Sequence, residues 1–332
     1  MIQIIPSYYH SFSCLAASCP ESCCKLWEID VDSEIQELYN SIPGSLGDRL
    51  RSALTPCPDG SVILTQVCGS CALLDDDGLC AAQKARGPNA VSKTCREFPR
   101  MVQDYGDFTE LDLELSCPEA ARLILTEPLR SPEIRQLPGG EEPDYDEELM
   151  ELLRRSRDDA LSLLDSEMEL RQVLALLLFF AAHTQAEIDG NDSVPFSPEA
   201  ILTAANNHAR ESDVADLVKF YENLELLTES WQELLANPAP ARWFPELRAF
   251  ARYELNRYWL HAVSDFDLLP RVKMVIAAVV LLAHLEGDPV RLATLYSKEI
   301  DDDPDNIDAL LEAAYTARPF TDDRLLGYLL RS

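Results

Sequence analysis

Ten cysteines are the residues of this sequence with the clearest potential for chemistry. All of them fall within the first 117 positions, and several stand beside turn-forming Pro, Gly or Asp residues. Their order along the chain is Cys14-x4-Cys19-x3-Cys23-Cys24, then Cys57, then Cys68-x2-Cys71-x8-Cys80-x14-Cys95-x21-Cys117. Thiolates are soft ligands that suit zinc and iron-sulfur clusters. This concentration of cysteines therefore predicts a metal centre held by thiolates.

The spacing does not choose between zinc and iron. Only Cys68 and Cys71 are separated as in the paired CxxC knuckles of a zinc ribbon. The Cx3Cx2C triplet of radical enzymes is also incomplete, because Leu26 stands where the third cysteine would be. A further interpretation is that the cysteines are small buried hydrophobic residues.

Motifs for other kinds of catalysis are missing from the sequence. The five histidines form no HExxH or similar ligand spacing, and no G-x-S-x-G element is present. The chain has twelve glycines and no G-x-G-x-x-G loop, which disfavours a Rossmann-type nucleotide site. Hydrolase chemistry is therefore disfavoured, and a nucleotide-containing ligand has to bind elsewhere.

Charge and hydropathy limit the partners and the compartment. The 332 residues carry a net charge of -30, which repels a phosphate backbone, so nucleic acid is not expected as a partner. The longest apolar runs, 173–182 and 275–283, are too short to cross a bilayer and predict buried helices. With no secretory signal in residues 1–10, we expect a cytoplasmic protein without membrane contact, in which the cysteines stay reduced.

The chain divides into two predicted domains. A Pro- and Gly-rich stretch at 127–144 resembles a linker, so we place the boundary near residue 135, giving a cysteine-rich domain (1–135) and a helical domain (136–332). In the first domain we expect helices at 33–41 and 118–125, and a strand at 62–67 that could pair with 108–115. Such an irregular segment has little apolar area of its own, so metal ligation is the natural means of holding it together.

The second domain is predicted to be all-helical. Leucines recur at near-helical spacing from Leu149 to Leu164, and further amphipathic patterns follow. The predicted fold class is mainly α, with an irregular, cysteine-rich metal-binding domain containing little β structure before the helical one. The helices beyond residue 197 are expected at 198–209, 211–236, 245–261, 268–286, 288–298 and 308–318, with a final short one.

Four sequence blocks resemble the flagellin lysine-N-methylase family, which belongs with a wider set of zinc- or iron-chelating cysteine-cluster proteins. The blocks are Pro6 to Asp30, Cys71 to Cys80, Thr94 to Arg100 and Leu115 to Arg122. They cover roughly the first 125 residues, whereas the helical half resembles the family only in general character. The first cysteines depart from the CxxxCxxCC-like signature of the wider set, since here they are spaced Cx4Cx3CC.

The resemblance implies methyl transfer from S-adenosylmethionine to lysines of flagellin or a similar surface protein, with an iron-sulfur cluster, 4Fe-4S in type, needed for activity. Zinc is the alternative metal. Cys57 and Cys68 match no motif cysteine. The eight that match could fill two four-ligand sites, or one cluster could take four of them and leave the rest as structural or redox thiols. The implied metal ligands are Cys14, Cys19, Cys23, Cys24, Cys71, Cys80, Cys95 and Cys117.

Residues for the methyl donor are less sharply indicated. Arg96 and Arg100 follow Cys95 closely, and a planar guanidinium can grip the donor carboxylate in a bidentate manner. A structural ion pair with Glu97 or with the acidic run 75–77 is the alternative. The aromatic stripe at 253–259 is expected in the core. Four residues beside the first cysteines could line the pocket or else pack around a metal site: Tyr8, Tyr9, Trp27 and Asp30. A cleft between the two domains is the expected location of the site.

A function of another class is compatible with the same residues. The cysteine-rich part could be a non-enzymatic iron-sulfur or zinc module, and the helical half could bind a protein partner. Bound iron without affinity for the methyl donor would favour that alternative.

Overall fold

Helices dominate the computed structural model, which describes residues 1–25, 27–191, 197–208 and 213–331. The mainly α fold class is therefore confirmed. Four residues that bear on the predictions lie outside the described residues: Leu26, residue 209 at the end of one predicted helix, and residues 211–212 at the start of the next.

The cysteine-rich part contains short helices between small sheets. The predicted helix at 33–41 is confirmed with the same bounds, and the helix predicted at 118–125 extends to Thr126. In chain order the elements are β1 (Ile2–Ile5), α1 (Ser33–Ser41), α2 (Gly44–Ser52), β2 (Leu54–Pro56), β3 (Val62–Leu64), β4 (Gln66–Val67), β5 (Ser70–Cys71), α3 (Ala81–Arg86), α4 (Lys93–Glu97), β6 (Arg100–Asp104), β7 (Phe108–Leu113), α5 (Pro118–Thr126) and β8 (Glu133–Gln136).

The main sheet has the strand order β6-β7-β1-β8. Strand β1 runs parallel to β7, with Ile2 opposite Phe108, and antiparallel to β8, with Ile5 opposite Glu133. The predicted pairing of 62–67 with 108–115 is wrong. Both edges of β7 are occupied, by β6 and β1, while residues 62–67 are split between the β2–β3 and β4–β5 hairpins.

The Pro- and Gly-rich stretch at 127–144 holds a strand as well as irregular segments. The four residues of β8 contain neither Pro nor Gly, so their backbone can pair with β1. The segment thus returns the chain to its first strand before the long helices begin. The domain boundary near residue 135 stays a prediction.

The predicted helices of the second half are largely confirmed. The one predicted over 211–236 is instead two helices, because Leu227 and Thr228 between them donate backbone N–H groups to the buried Glu299 carboxylate, 2.6 and 2.9 Å away. The helices are α6 (Glu147–Leu164), α7 (Leu170–Ile188), α8 (Pro198–His208), α9 (Ala215–Glu222), α10 (Glu229–Ala236), α11 (Glu246–Tyr258), α12 (Ala262–Asp265), α13 (Leu269–Ala283), α14 (Pro289–Tyr296), α15 (Pro304–Thr316) and α16 (Asp322–Leu330).

Buried residues form two separate hydrophobic cores. The small core draws its members from Ile29 to Val91, whereas the large core extends from Phe108 to Leu329 and includes β7, α5 and the long helices. The apolar run in α13 is buried along its whole length, as predicted. Within the described ranges, no helix combines the length and the apolar character that a bilayer crossing requires.

Candidate metal centre and two adjoining clefts

Four cysteines surround the small core, and we call Cys24, Cys71, Cys80 and Cys95 the inner thiol group. Cys71 is buried in this core, and the other three are partly buried and pack against it. The backbone N–H of Cys71 donates to the Cys24 carbonyl at 2.8 Å, which joins two segments far apart in sequence. A β-bridge between Leu74 and Cys80 turns the chain back toward Cys71.

Local features of the sequence explain this convergence. Asp75 to Gly78 is a turn, as predicted: the Gly78 N–H donates to the Asp75 carbonyl at 2.9 Å, and Gly78 adopts a φ of +76°. Cys80 then precedes α3, and the Ser92 hydroxyl accepts from the Cys95 N–H at the start of α4. These turns and caps bring cysteines from three separate segments to one core.

The members of the inner thiol group influence one another's ionisation. Burial, together with the neighbouring thiols of Cys24, Cys71 and Cys80, raises the pKa of Cys95 to about 11. Burial likewise raises the pKa of Cys71 and of Cys80. The hydrogen bond from Cys23 has the opposite effect on Cys24 and lowers its pKa to about 6. Neutral thiols are thus favoured at Cys71, Cys80 and Cys95 where no cation compensates their charge, whereas Cys24 is favoured as a thiolate.

A second set of thiols lies on the side of the long helices. Burial raises the pKa of Cys117, and the nearby Cys19 and Cys14 add to the effect. Burial also raises the pKa of Cys19, again with a contribution from Cys14. The Cys23 thiol is hydrogen-bonded to Cys24 and influenced by both Cys14 and Cys95, so it lies between the two sets. We call Cys14, Cys19, Cys23 and Cys117 the outer thiol group.

The outer thiol group is anchored to the helical body. The Cys19 thiol donates to the Glu21 carbonyl at 3.2 Å, and the Glu21 carboxylate pairs with Lys298 Nζ at 2.6 Å. Cys117 stands at the N-terminus of α5 and packs against the large core. The inner thiol group therefore borders the small core, Cys117 of the outer thiol group borders the large core, and Cys23-Cys24 joins the two groups.

All ten cysteines are free thiols. Among the described residues, no three His, Cys, Asp or Glu side chains are arranged so that they could hold a metal ion. The donor set is nonetheless suited to a soft metal, because both groups offer sulfur ligands. Cys57 and Cys68 lie at the turns of the two small hairpins. The ligand set stays a prediction.

Arg96 and Arg100 line neither of the two clefts described below. The Arg100 guanidinium lies 5.3 Å from the ring centroid of Phe12, and Arg96 lies in α4 near Asp32. The alternative prediction that these arginines pair with Glu97 or with the acidic run is wrong. Three of those acids are paired with other side chains: Asp75 with Arg49 and Lys84, Asp77 with Lys84, and Glu97 with Lys93.

A cleft of about 540 Å³ lies between the main sheet and helices α6 and α11, and we call it the arginine cleft. The Tyr8 hydroxyl donates to the Asp112 carboxyl at 2.6 Å, and burial raises the pKa of Asp112 to about 7. Tyr253 faces the same space. Five arginines line this cleft: Arg130, Arg154, Arg157, Arg252 and Arg257.

A second cleft, of about 760 Å³, lies between β6, the segment 141–145 and the ends of α11 and α15, and we call it the acidic cleft. Arg257 is the one arginine among the described residues that line this cleft. Burial together with Arg271 and Arg257 lowers the pKa of His261 to about 4, so its imidazole is neutral at pH 7. The two clefts share Met101, Gln103 and Arg257 as a common wall. The acidic residues that line the acidic cleft are Asp104, Glu141, Glu142, Asp144, Asp301 and Asp308.

A buried polar network lies behind the common wall. Arg257 donates to the Glu114 carboxylate at 2.5 Å and to the Tyr253 hydroxyl at 3.0 Å. The Tyr258 hydroxyl donates to Asp301 Oδ1 at 2.9 Å. Burial and then repulsion from Asp301 raise the pKa of Glu254, which favours its neutral form. Glu114 is three residues before Cys117, so this network borders the outer thiol group.

The sequence reasoning missed the carboxyl groups of this region. Asp112, Glu254 and Asp301 belong to three separate parts of the chain and form no motif. One pattern could have indicated a buried carboxyl group: Glu254 lies between the apolar residues Tyr253 and Leu255, and all three are buried in α11. The aromatic stripe was predicted as core, and this is confirmed: Tyr253, Tyr258 and Trp259 are at most 6% exposed.

Three curated Salmonella proteins are similar to this chain. The flagellar biosynthetic protein FliU of Salmonella muenchen is 32% identical over 135 residues, which is 37% of this chain and 76% of FliU. The lysine-N-methylases of Salmonella typhimurium and Salmonella choleraesuis are also 32% identical over 135 residues, but the match covers only 32% of each. The chain thus spans about a third of the length of those two enzymes. No family model and no solved structure matches it.

Proposed function

Because this chain belongs to the flagellin lysine-N-methylase family, we propose that it transfers methyl groups from S-adenosylmethionine to lysine side chains of flagellin or a similar surface protein. The similarity to the two proteins named lysine-N-methylase carries this proposal. Two clefts with a common wall support it further, since a transfer between two substrates needs two adjacent binding spaces.

The chemistry sets clear requirements for the site. The lysine ε-ammonium first loses a proton, because only the neutral amine has a lone pair. That lone pair forms the N–C bond to the sulfonium methyl carbon while the C–S bond breaks, and its electrons stay on sulfur as a neutral thioether. The site must therefore accept a proton, align the two substrates and exclude water.

The arginine cleft is the proposed site of the methyl donor. Its volume of about 540 Å³ is within the range of small-molecule pockets, roughly 300 to 1,000 Å³. Arg154 lies with its guanidinium carbon 4.7 Å from the Phe108 ring centroid, which restricts its orientation and suits it to bind the donor carboxylate. Tyr8 and Tyr253 offer phenol groups within the same space. Arg96 and Arg100 remain the alternative donor ligands.

The thiol groups are the proposed metal ligands. The inner thiol group would hold one centre and the outer thiol group a second one, with the neighbouring Cys23 and Cys24 belonging to different centres. The cation would compensate the charge of the thiolates, which burial otherwise disfavours. An iron-sulfur cluster of the 4Fe-4S type would supply one-electron chemistry and would cross-link the segments of the small core through its thiolate bonds. Zinc would supply only the cross-link.

Metal analysis and a transfer assay test this function together. The protein is purified anaerobically, its iron, zinc and acid-labile sulfide are measured, and methyl-labelled S-adenosylmethionine is added with unmethylated flagellin. We expect iron with sulfide, and label in ε-N-methyllysine. Zinc without sulfide would contradict the cluster but not the transfer. Iron-loaded protein that leaves flagellin unlabelled would overturn the proposed activity and favour a non-enzymatic metal module with a helical partner-binding half.

A further inference from the structure

We propose that the acidic cleft binds the acceptor lysine and that the Asp301 carboxylate receives its ammonium group. This inference rests on the proposed methyl transfer and adds the location of the second substrate. It assigns a binding role to residues between β6 and α15 that no sequence motif singles out.

The charge of the acidic cleft favours a cation. Six acidic side chains line it against one arginine, and that arginine is engaged by the Glu114 carboxylate at 2.5 Å. His261 is neutral at pH 7, because burial and two nearby arginines lower its pKa to about 4. No lysine is among the described residues that line the cleft. The field within a cleft lined by one sign of charge attracts the opposite charge and raises its local concentration.

Asp301 has an unused acceptor. Oδ1 accepts from the Tyr258 hydroxyl at 2.9 Å, whereas no described residue donates to the fully buried Oδ2 with good hydrogen-bond geometry. The Ser297 hydroxyl and the Glu254 carboxyl lie close enough to influence the titration of this carboxylate, but they do not supply a cation. The residue is only 8% exposed, and it lines the acidic cleft. Burying a carboxylate oxygen without a donor costs free energy. An ammonium group that entered the cleft would supply the missing donor.

The surroundings of Asp301 also suit the removal of a proton. The neighbouring Glu254 has a raised pKa, and its Oε1 is likewise unpartnered. Burial raises the pKa of Asp302, on the same turn, to about 7. Burial raises the pKa of Asp301 itself, although Arg257 lowers it. The ammonium can then pass a proton to Asp301, leaving a neutral amine and a neutral carboxylic acid. Tyr258 would lie beside that amine.

The position of the acidic cleft matches a transfer reaction. It shares Met101, Gln103 and Arg257 with the arginine cleft, where the donor is proposed to bind. Gln103 is held in place by the Arg257 carbonyl, to which its amide donates at 2.8 Å. Transfer requires the amine nitrogen to reach the methyl carbon directly, so the two substrates would meet where the clefts adjoin, beside these three side chains. A protein acceptor could reach its cleft without displacing the donor.

Peptide binding tests this inference without requiring turnover. The probes are acetyl-Gly-Gly-Lys-Gly-Gly-amide and the same peptide with norleucine in place of lysine, and their Kd values are measured by ligand-observed NMR. We expect the lysine peptide to bind more tightly, and Asp301→Asn to weaken it about tenfold or more, because hydrogen bonds to charged groups are strong. Glu222→Gln, which removes the same charge from an exposed position on α9, should leave Kd unchanged.

A second variant covers the case in which Asp301→Asn does not fold. Glu141→Gln with Glu142→Gln removes two charges from exposed positions at the rim. It should weaken lysine-peptide binding and reduce its dependence on salt. Equal binding of the lysine and norleucine peptides, or unchanged binding by both variants, would overturn the inference.

The two proposals fail in different ways. If flagellin is methylated normally by Asp301→Asn, the inference about this cleft is wrong and the activity stands. If the wild-type protein selects the lysine peptide but methylates nothing, the cation site stands and the activity is wrong. In an active enzyme, Asp301→Asn should lower kcat as well as raise KM for the acceptor, because asparagine cannot take the proton.

Discussion

At the scale of single residues, the buried carboxyl groups distinguish this protein. Asp112 accepts from Tyr8 in the arginine cleft, and Asp301 accepts from Tyr258 at the acidic cleft. Burial raises the pKa of both, so each is poised nearer neutrality than an exposed carboxyl. Such shifts cluster at functional sites, although structural networks produce them too.

The pH dependence of stability follows from Asp112. Its pKa is about 7 in the folded protein, well above that of an exposed aspartate. The folded state therefore keeps the proton that the unfolded chain releases, so this residue favours folding below pH 4 and the benefit is lost as the pH rises from about 4 to 7. Asp112→Asn should remove this loss. The unfolding free energy of the variant should therefore rise relative to that of the wild type by up to about 4 kcal/mol between about pH 4 and pH 7.

Urea unfolding at pH 4.5 and pH 7 measures this difference for both proteins. Other carboxyl groups contribute equally to the two proteins and cancel. A difference in unfolding free energy that is the same at both pH values would show that Asp112 titrates normally.

At the scale of elements, a buried ion pair joins α6 to the main sheet. The Arg157 guanidinium donates to both oxygens of Glu110 at 2.6 and 2.8 Å, and the two side chains are only 9% and 13% exposed. A bidentate pair of this kind fixes the distance between a helix and a strand. Here it forms one wall of the arginine cleft.

Removal of Arg157 alone should lower the unfolding free energy more than removal of both Arg157 and Glu110. Arg157→Ala leaves the Glu110 carboxylate buried without a counter-charge, and we expect a loss of about 3 to 5 kcal/mol in unfolding free energy. Arg157→Met with Glu110→Leu should cost clearly less, since no charge is left buried. Denaturant unfolding of the two variants measures the comparison, and a larger loss in the double variant would contradict it.

The two thiol groups predict a division of the bound metal. Cys95→Ser affects the inner thiol group and Cys117→Ser the outer one, so each should remove about half of the metal, while the double variant should remove nearly all of it. Cys57→Ser and Cys68→Ser are matched controls that should keep the full amount. Metal content per chain is measured after anaerobic purification. Complete loss from either single variant would indicate one shared centre.

At the scale of the whole molecule, the two cores differ in what supports them. The large core unites β7, α5 and the long helices, whereas the small core is built from short elements between Ile29 and Val91. A core of that size buries little apolar surface and needs a further constraint. The inner thiol group surrounds it, which places the proposed metal where the constraint is needed.

Metal removal should loosen the small core alone. After chelation, we expect trypsin to cleave after the exposed Arg86 and Lys93 at least about tenfold faster, because local opening exposes the chain. Cleavage after the buried Arg271 and Lys273 of α13 is the internal control and should stay slow. Mass spectrometry of the fragments measures both rates. Unchanged cleavage after Arg86 and Lys93 would mean that the metal does not support this core.

The local elements were largely predictable from the sequence. The helix at 33–41 has the predicted bounds, and the apolar run at 275–283 is buried within α13. Such elements follow from periodicity, capping and turn residues, all of which act over a few positions. The cysteine count and the sequence blocks likewise identified the family, because they too are properties of neighbouring residues.

The tertiary structure alone decided the long-range arrangement. The pairing of β1 with β7, the separation of the thiols into two groups and the meeting of Asp301 with Tyr258 join residues that are distant in sequence. No local pattern encodes such contacts, since they depend on which surfaces the whole chain can bury together. The chemistry of the cysteines was therefore visible in the sequence, whereas the clefts beside them exist only in the fold.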